Sequence, residues 1–136
     1  MARKSTIKLL LINESDNEGE RLVSLFRNAG RVARAHRVES VEALLSSLDS
    51  DHWDLLISND KYPDLSAEQC LKQLNKNNVD IPVIVLRDND GDIQAAFDAG
   101  AADVINPNDD SRLTFAAFRE LKNLEHRRQR VIIQSQ

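Results

Sequence analysis

Short aliphatic runs alternate with amphipathic segments five times along this chain. Ile7 to Ile12 is apolar apart from Lys8, as a strand buried on both faces of a parallel sheet requires. Glu18 to Ala29 then places Leu22, Val23, Leu25 and Phe26 on one helical face, and Asn28-Ala29-Gly30 supplies a glycine stop. Val32 to Val38 sets Val32, Arg34 and His36 against Ala33, Ala35 and Arg37, the pattern of an edge strand with one wet side. Ser40 predicts an N-cap for a helix that turns Val41, Leu44, Leu45 and Leu48 inward.

Trp53 to Ser58 reads as the third strand, with a proline turn at Tyr62-Pro63-Asp64. Ser66 opens a helix whose inner face is Ala67, Cys70, Leu71 and Leu74. Ile81 to Leu86 is the fourth strand, and the loop Asp88-Asn89-Asp90-Gly91 leads to a short helix, Ile93 to Ala99, closed by Gly100. Asp103 to Ile105 is a brief fifth strand, and Ser111 opens a last helix running to the neighbourhood of Arg130. No repeat, low-complexity tract or linker interrupts these units. Five strand–helix units in succession predict one α/β domain, a parallel sheet with helices on both faces.

A chain of 136 residues is long enough to bury a core without disulfides or metals, and 41% hydrophobic residues argue against disorder. The net charge of −4 offers no field for nucleic acid, so no nucleic-acid partner is expected. Local basicity is expected only at Arg127, Arg128 and Arg130, read as a solvated helix face. Cys70 is the one cysteine, which excludes an internal disulfide and suits a reducing cytoplasm. No apolar segment is long enough for a signal peptide or a membrane span, so the expected protein is cytoplasmic and is not inserted in a membrane.

The strand ending Ile12-Asn13-Glu14, the segment Trp53-Asp54-Leu55-Leu56-Ile57 with Pro63 beyond it, Ile81-Pro82-Val83-Ile84-Val85-Leu86 and Ala99-Gly100-Ala101-Ala102-Asp103 form a specific set. Together they resemble the receiver domains of two-component response regulators, the CheY-like family, from Thr6 to Glu125. The resemblance implies a doubly wound, flavodoxin-like fold of five parallel strands in the order 2-1-3-4-5 with five helices. Its ligand site would lie at the carboxyl ends of the strands. Residues 1–125 are then the receiver-like domain, and 126–136 extend the last helix toward a downstream module.

Receivers accept a phosphoryl group on an aspartate ending the third strand. Two acids after the first strand hold Mg²⁺, a Thr or Ser ends the fourth, and a Lys ends the fifth. A phosphoryl group demands this carboxylate, cation and clamp. Carried over by position, the resemblance puts Asn59 in place of the acceptor, and an amide is no usable nucleophile. Asn13 and Glu14 replace the acid pair, leaving Glu14 as a weak candidate for metal. Arg87 stands at the Thr/Ser position, and Asn106-Pro107 falls where the Lys belongs, one residue short. Asp60 is the alternative acceptor, with Mg²⁺ held by Glu14, but a one-residue shift points it to the other face unless the strand bulges. No catalytic residue and no cofactor are expected.

Two readings of Arg87 stay open. Its guanidinium either pairs with Glu14 and pins the loops, or it points to water. In both, the pocket opens to solvent and losing Arg87 is expected to cost only about 0–1 kcal/mol. Asp88, Asp90 and Asp92 do not make a calcium loop, because Ala99 sits where the bidentate Glu belongs. Asn13 to Asn17 contains no glycine, which removes nucleotide- and flavin-binding readings.

In the last helix, Leu113, Ala117 and Phe118 fit packing on the sheet, while Leu121, Leu124, Arg128 and Val131 follow a heptad-like spacing. That stripe predicts a weak homodimer through Leu121, Leu124 and Val131, or docking to another signalling protein. The segments Glu20 to Gly30 and Arg119 to Arg128 are also similar to the degenerate receivers that open bacterial cyclic-di-GMP proteins with GGDEF and EAL modules, such as the FimX group. The expected function is a non-phosphorylatable pseudo-receiver for dimerisation, localisation or docking. The alternative is an active phosphoacceptor using Asp60.

Overall fold

In the computed structural model, the residues described are 6–12, 16–59, 65–88 and 92–134. The chain runs β1 (Ile7–Ile12), α1 (Asp16–Asn28), β2 (Ala33–Arg37), α2 (Val41–Ser50), β3 (Leu55–Asn59), α3 (Ala67–Lys76), β4 (Val83–Leu86), α4 (Ile93–Asp98), β5 (Asp103–Ile105) and α5 (Asp110–Gln134). All strand pairs are parallel, in the order β2-β1-β3-β4-β5. The chain therefore has the doubly wound five-stranded α/β fold, whose order reverses direction between β1 and β3.

Strand alternation divides the core into two layers. Ile7, Leu9, Leu11, Leu55, Ile57, Ile84 and Leu86 face one way and pack with Leu22 and Phe26 of α1 and Leu113, Ala116 and Ala117 of α5. Leu10, Ile12, Leu56, Val83 and Val85 face the other way, against Leu44 of α2, Cys70, Leu71 and Leu74 of α3, and Ala96 of α4. Phe26 is fully buried, and its ring centroid lies 5.6 Å from that of Phe118.

Helix ends are set locally. Ser40 Oγ accepts the Ala43 N–H at 3.1 Å, and Ser66 and Gln69 form a reciprocal capping box. At three C-termini an N–H reaches back five residues: Arg31 to the Phe26 carbonyl, Val79 to Leu74 and Ala101 to Ala96. The left-handed residues that make these turns are Gly30, Asn78 and Gly100, with φ of 93, 56 and 110°.

Three expectations shift. Trp53 precedes β3 instead of opening it; its Nε1–H donates to the Ser47 carbonyl at 2.8 Å and its ring stacks on His36. The last helix opens one residue before Ser111, with Asp109 Oδ1 accepting the Arg112 N–H, and it continues to Gln134. The third correction concerns the heptad-like stripe, expected to lie partly uncovered. Leu124 is 2% exposed, and Leu121 packs against the layer formed with α1. The domain's own core covers them, and α5 also contacts the amino ends of β3 and β4: Arg127 pairs with Asp80 at 2.9 Å, and Arg128 donates to Asp54 and to the Trp53 carbonyl, each at 2.8 Å. The Val131 side chain lies outside the described residues.

Candidate functional site

The carboxyl ends of β3, β4 and β5 lie side by side. Asn59 is in register with Leu86, Leu86 with Ile105, and the Arg87 N–H donates to the Ile105 carbonyl at 3.0 Å. This brings Asn59, Arg87 and Asn106 to the carboxyl ends of three neighbouring strands. Asn13, Glu14 and Asp60 fall outside the described residues, and with them the proposed Glu14–Arg87 pair and the Asp60 rescue. So do the turn at Tyr62-Pro63-Asp64 and the loop residues Asn89, Asp90 and Gly91.

Arg87 does not extend into solvent. Only 5% of its side chain is exposed, and Nη2 donates to Glu68 Oε1 at 2.9 Å. Nη1 donates to the Asp92 carbonyl. Glu68 lies in the first turn of α3, where the helix dipole favours an acid. Asp92 is the N-cap of α4, and its Oδ1 accepts the Ala95 N–H at 2.9 Å. One guanidinium therefore joins the end of β4 to the starts of α3 and α4. The open-pocket reading and its small cost for losing Arg87 are corrected on this geometry: a planar fork buried between two helix starts loses packing and hydrogen bonds together when removed.

Sequence reasoning missed Glu68. It lies 19 residues from Arg87, and an acid in a first helical turn already has a local explanation. Asn106, at the position expected for a Lys, is turned into its own loop: its Oδ1 accepts the Asn108 N–H at 2.9 Å and its carbonyl accepts from Asp109. The described strand-end residues Asn59, Arg87 and Asn106 carry no carboxylate, a poor donor set for a hard divalent cation. Among the described residues no group of three His, Cys, Asp or Glu is placed to hold a metal.

Cys70 lies one turn along α3 from Ser66, fully buried. Burial, with the nearby Glu68 charge, pushes its thiol from 9.0 up to about 12. The thiol is a core group, as the sequence predicts, and holds its proton more tightly folded than unfolded. The sign follows: its contribution is intact below about pH 9 and is lost as pH rises toward about 12. Urea unfolding between these limits should show stability falling with pH, and the fall should be shallower in Cys70→Ala. Native Cys70 should resist alkylation at neutral pH and react once unfolded.

No protein-family model matches the chain, and no curated protein matches it. Solved structures do. The signal receiver domain of a putative Luxo repressor protein from Vibrio parahaemolyticus superposes with a TM-score of 0.77 at 20% identity, covering 92% of this chain and 97% of that one. The chain has the receiver fold. A Francisella response-regulator receiver aligns with a TM-score of 0.72 at 18% identity, over 87% of this chain and 98% of that one. The receiver of a sensor histidine kinase from Pseudomonas aeruginosa, which holds a magnesium ion in its active-site cleft, aligns at 0.69 and 19% identity, over 87% and 99%. Among the described residues no helix is long and apolar enough to cross a membrane.

Proposed function

We propose that this chain is a pseudo-receiver, a signalling domain that does not accept a phosphoryl group and acts by docking a protein. The observation that carries the reading is Arg87, buried and bound to Glu68 and to the start of α4. A phosphoryl switch requires an element with two arrangements that the new charge can bias. Here a permanent cation already ties α3 and α4 in one arrangement. Asn59 adds the chemical argument, because its amide replaces the carboxylate that would attack phosphorus. Such a domain catalyses nothing.

The docking surface we favour is on the last two strand–helix units. Phe97 on α4 is 42% exposed and Phe115 on α5 is 70% exposed, and an aromatic side chain on the surface is a ready anchor for a partner. The likeness of Glu20 to Gly30 and Arg119 to Arg128 to cyclic-di-GMP signalling proteins supports a place at the front of a longer chain of that kind, in the cytoplasm.

Acetyl phosphate and Mg²⁺ followed by intact-mass measurement test the proposal. No phosphoryl adduct is expected, and Asn59→Asp alone should not restore one, since Arg87 and Asn106 stay in place. An adduct that disappears in Asp60→Asn would replace this reading with the active phosphoacceptor.

A further inference from the structure

The last helix has two sides of opposite character. Its core side is Leu113, Ala116, Ala117 and Leu124. On the solvent side, Arg112, Phe115, Arg119, Lys122, His126 and Gln129 recur at alternating steps of three and four, and all are exposed. Arg130 extends the row one turn past His126. None of these positions is acidic, although the chain as a whole has 22 Asp and Glu against 18 Lys and Arg. The basic run expected at Arg127, Arg128 and Arg130 is thereby divided: Arg127 and Arg128 turn back to Asp80 and Asp54, and Arg130 joins the outer row.

Arg119 is partly committed, pairing with Asp103 at 3.1 Å and with Glu120 at 3.0 Å. Arg112, Lys122, His126 and Arg130 make no side-chain hydrogen bond or ion pair among the described residues. Phe115, 70% exposed, stands between Arg112 and Arg119, about one turn from each. From Arg112 to Gln129 the row is about 25 Å long. A repeat of seven drifts by only about 20° per repeat around a straight helix, so a second helix with a slight left-handed supercoil stays on the row from end to end.

A second copy of this row would set cation against cation along its length. A membrane surface would find Phe115 as the row's one apolar side chain between Arg112 and Gln129, too little for interfacial binding. A nucleic acid would meet the rest of a chain whose net charge is −4. A helix carrying acids at the same spacing meets none of these objections. We propose that the outer row of α5 is a docking site for an acidic amphipathic helix of a partner protein. Its carboxylates pair with Arg112, Lys122 and Arg130, and an apolar residue among them covers Phe115. The phenylalanine is the anchor and the cations select the partner. This inference rests on the docking part of the function proposed above and names the partner's chemistry. Phosphoryl acceptance does not enter it, so acetyl phosphate tests that reading separately.

Fluorescence anisotropy of a labelled, alanine-rich helical peptide, with glutamates at heptad-like spacing and one central leucine, provides the test. Binding should be saturable, and Arg112→Glu with Lys122→Glu should weaken it by about tenfold or more. Both positions are exposed, and circular dichroism checks that the variant is folded. The same peptide with lysine in place of glutamate should bind that variant and not the parent chain, a swap that loss of folding cannot mimic. No binding of the glutamate peptide at millimolar concentration, equal binding of a peptide with its glutamates spread around the helix, or failure of the lysine peptide to bind the variant would overturn the proposal. Tighter binding to anionic phospholipid vesicles, or to a single-stranded oligonucleotide of matched charge, would overturn it as well. Equal binding of a leucine-bearing peptide without glutamates, lost in Phe115→Ala, would overturn the acidic partner while leaving docking at α5 in place.

Discussion

Replacing Leu124 with aspartate is expected to destabilise the domain by about 4 kcal/mol or more, a large share of the roughly 5–15 kcal/mol that holds an ordinary domain folded. The side chain is 2% exposed, so the substitution removes a packed leucine and places a carboxylate where water does not reach. Urea denaturation measures the loss, and a change below about 1 kcal/mol would show that α5 is not seated on the sheet at this point. Phe115→Glu is the contrasting variant. Phe115 is 70% exposed on the same helix, so its replacement should change stability by only about 0.5 kcal/mol. If the isolated domain self-associates through its last two units, sedimentation of Phe115→Glu will show the loss of association, whereas Leu124→Asp reports only on folding.

Arg87→Ala is expected to cost about 2–3 kcal/mol, several times the figure for an exposed pair. The guanidinium is 5% exposed while the Glu68 side chain is 37% exposed, so the two ends of the pair are not equivalent. Removing Arg87 leaves a carboxylate that water can reach. Changing Glu68→Gln leaves a buried cation without that carboxylate, and should cost a further fraction of the same range despite conserving shape. A double-mutant cycle should give a coupling of about 1 kcal/mol or more. Hydrogen exchange at the Ala95 amide, which is held by the Asp92 cap, should quicken in Arg87→Ala because the Asp92 carbonyl loses its donor. Additive single effects with unchanged exchange would mean that Arg87 is packed but does not organise the start of α4.

The local parts of the fold were legible from the chain. Strand β5 matches its expected bounds at both ends, as does β1, and the inner face of α3 is the one its spacing predicts. Ser40, Ser66, Gly30 and Gly100 act as the stops and caps that their side chains favour. These features depend on neighbours within about one helical turn, and sequence records such neighbours directly. Trp53 was displaced from its strand by contacts with Ser47 and His36, side chains and carbonyls that only folding brings near.

The candidate site divides the same way. Sequence alone determined that Asn59 cannot act as a carboxylate nucleophile, because that depends on the residue and not on its surroundings. Tertiary structure decided what Arg87 does and whether Leu124 is free. Arg87 meets Glu68 across 19 positions, and Arg128 reaches Asp54 across 74. Heptad-like spacing identifies an apolar stripe on a helix but not what covers it, since a sheet and a second helix make the same demand of the sequence. Here the domain's own core takes the stripe, with Leu124 buried and Leu121 packed beside it, and exposed pairs to Asp80 and Asp54 add only a little to that seating.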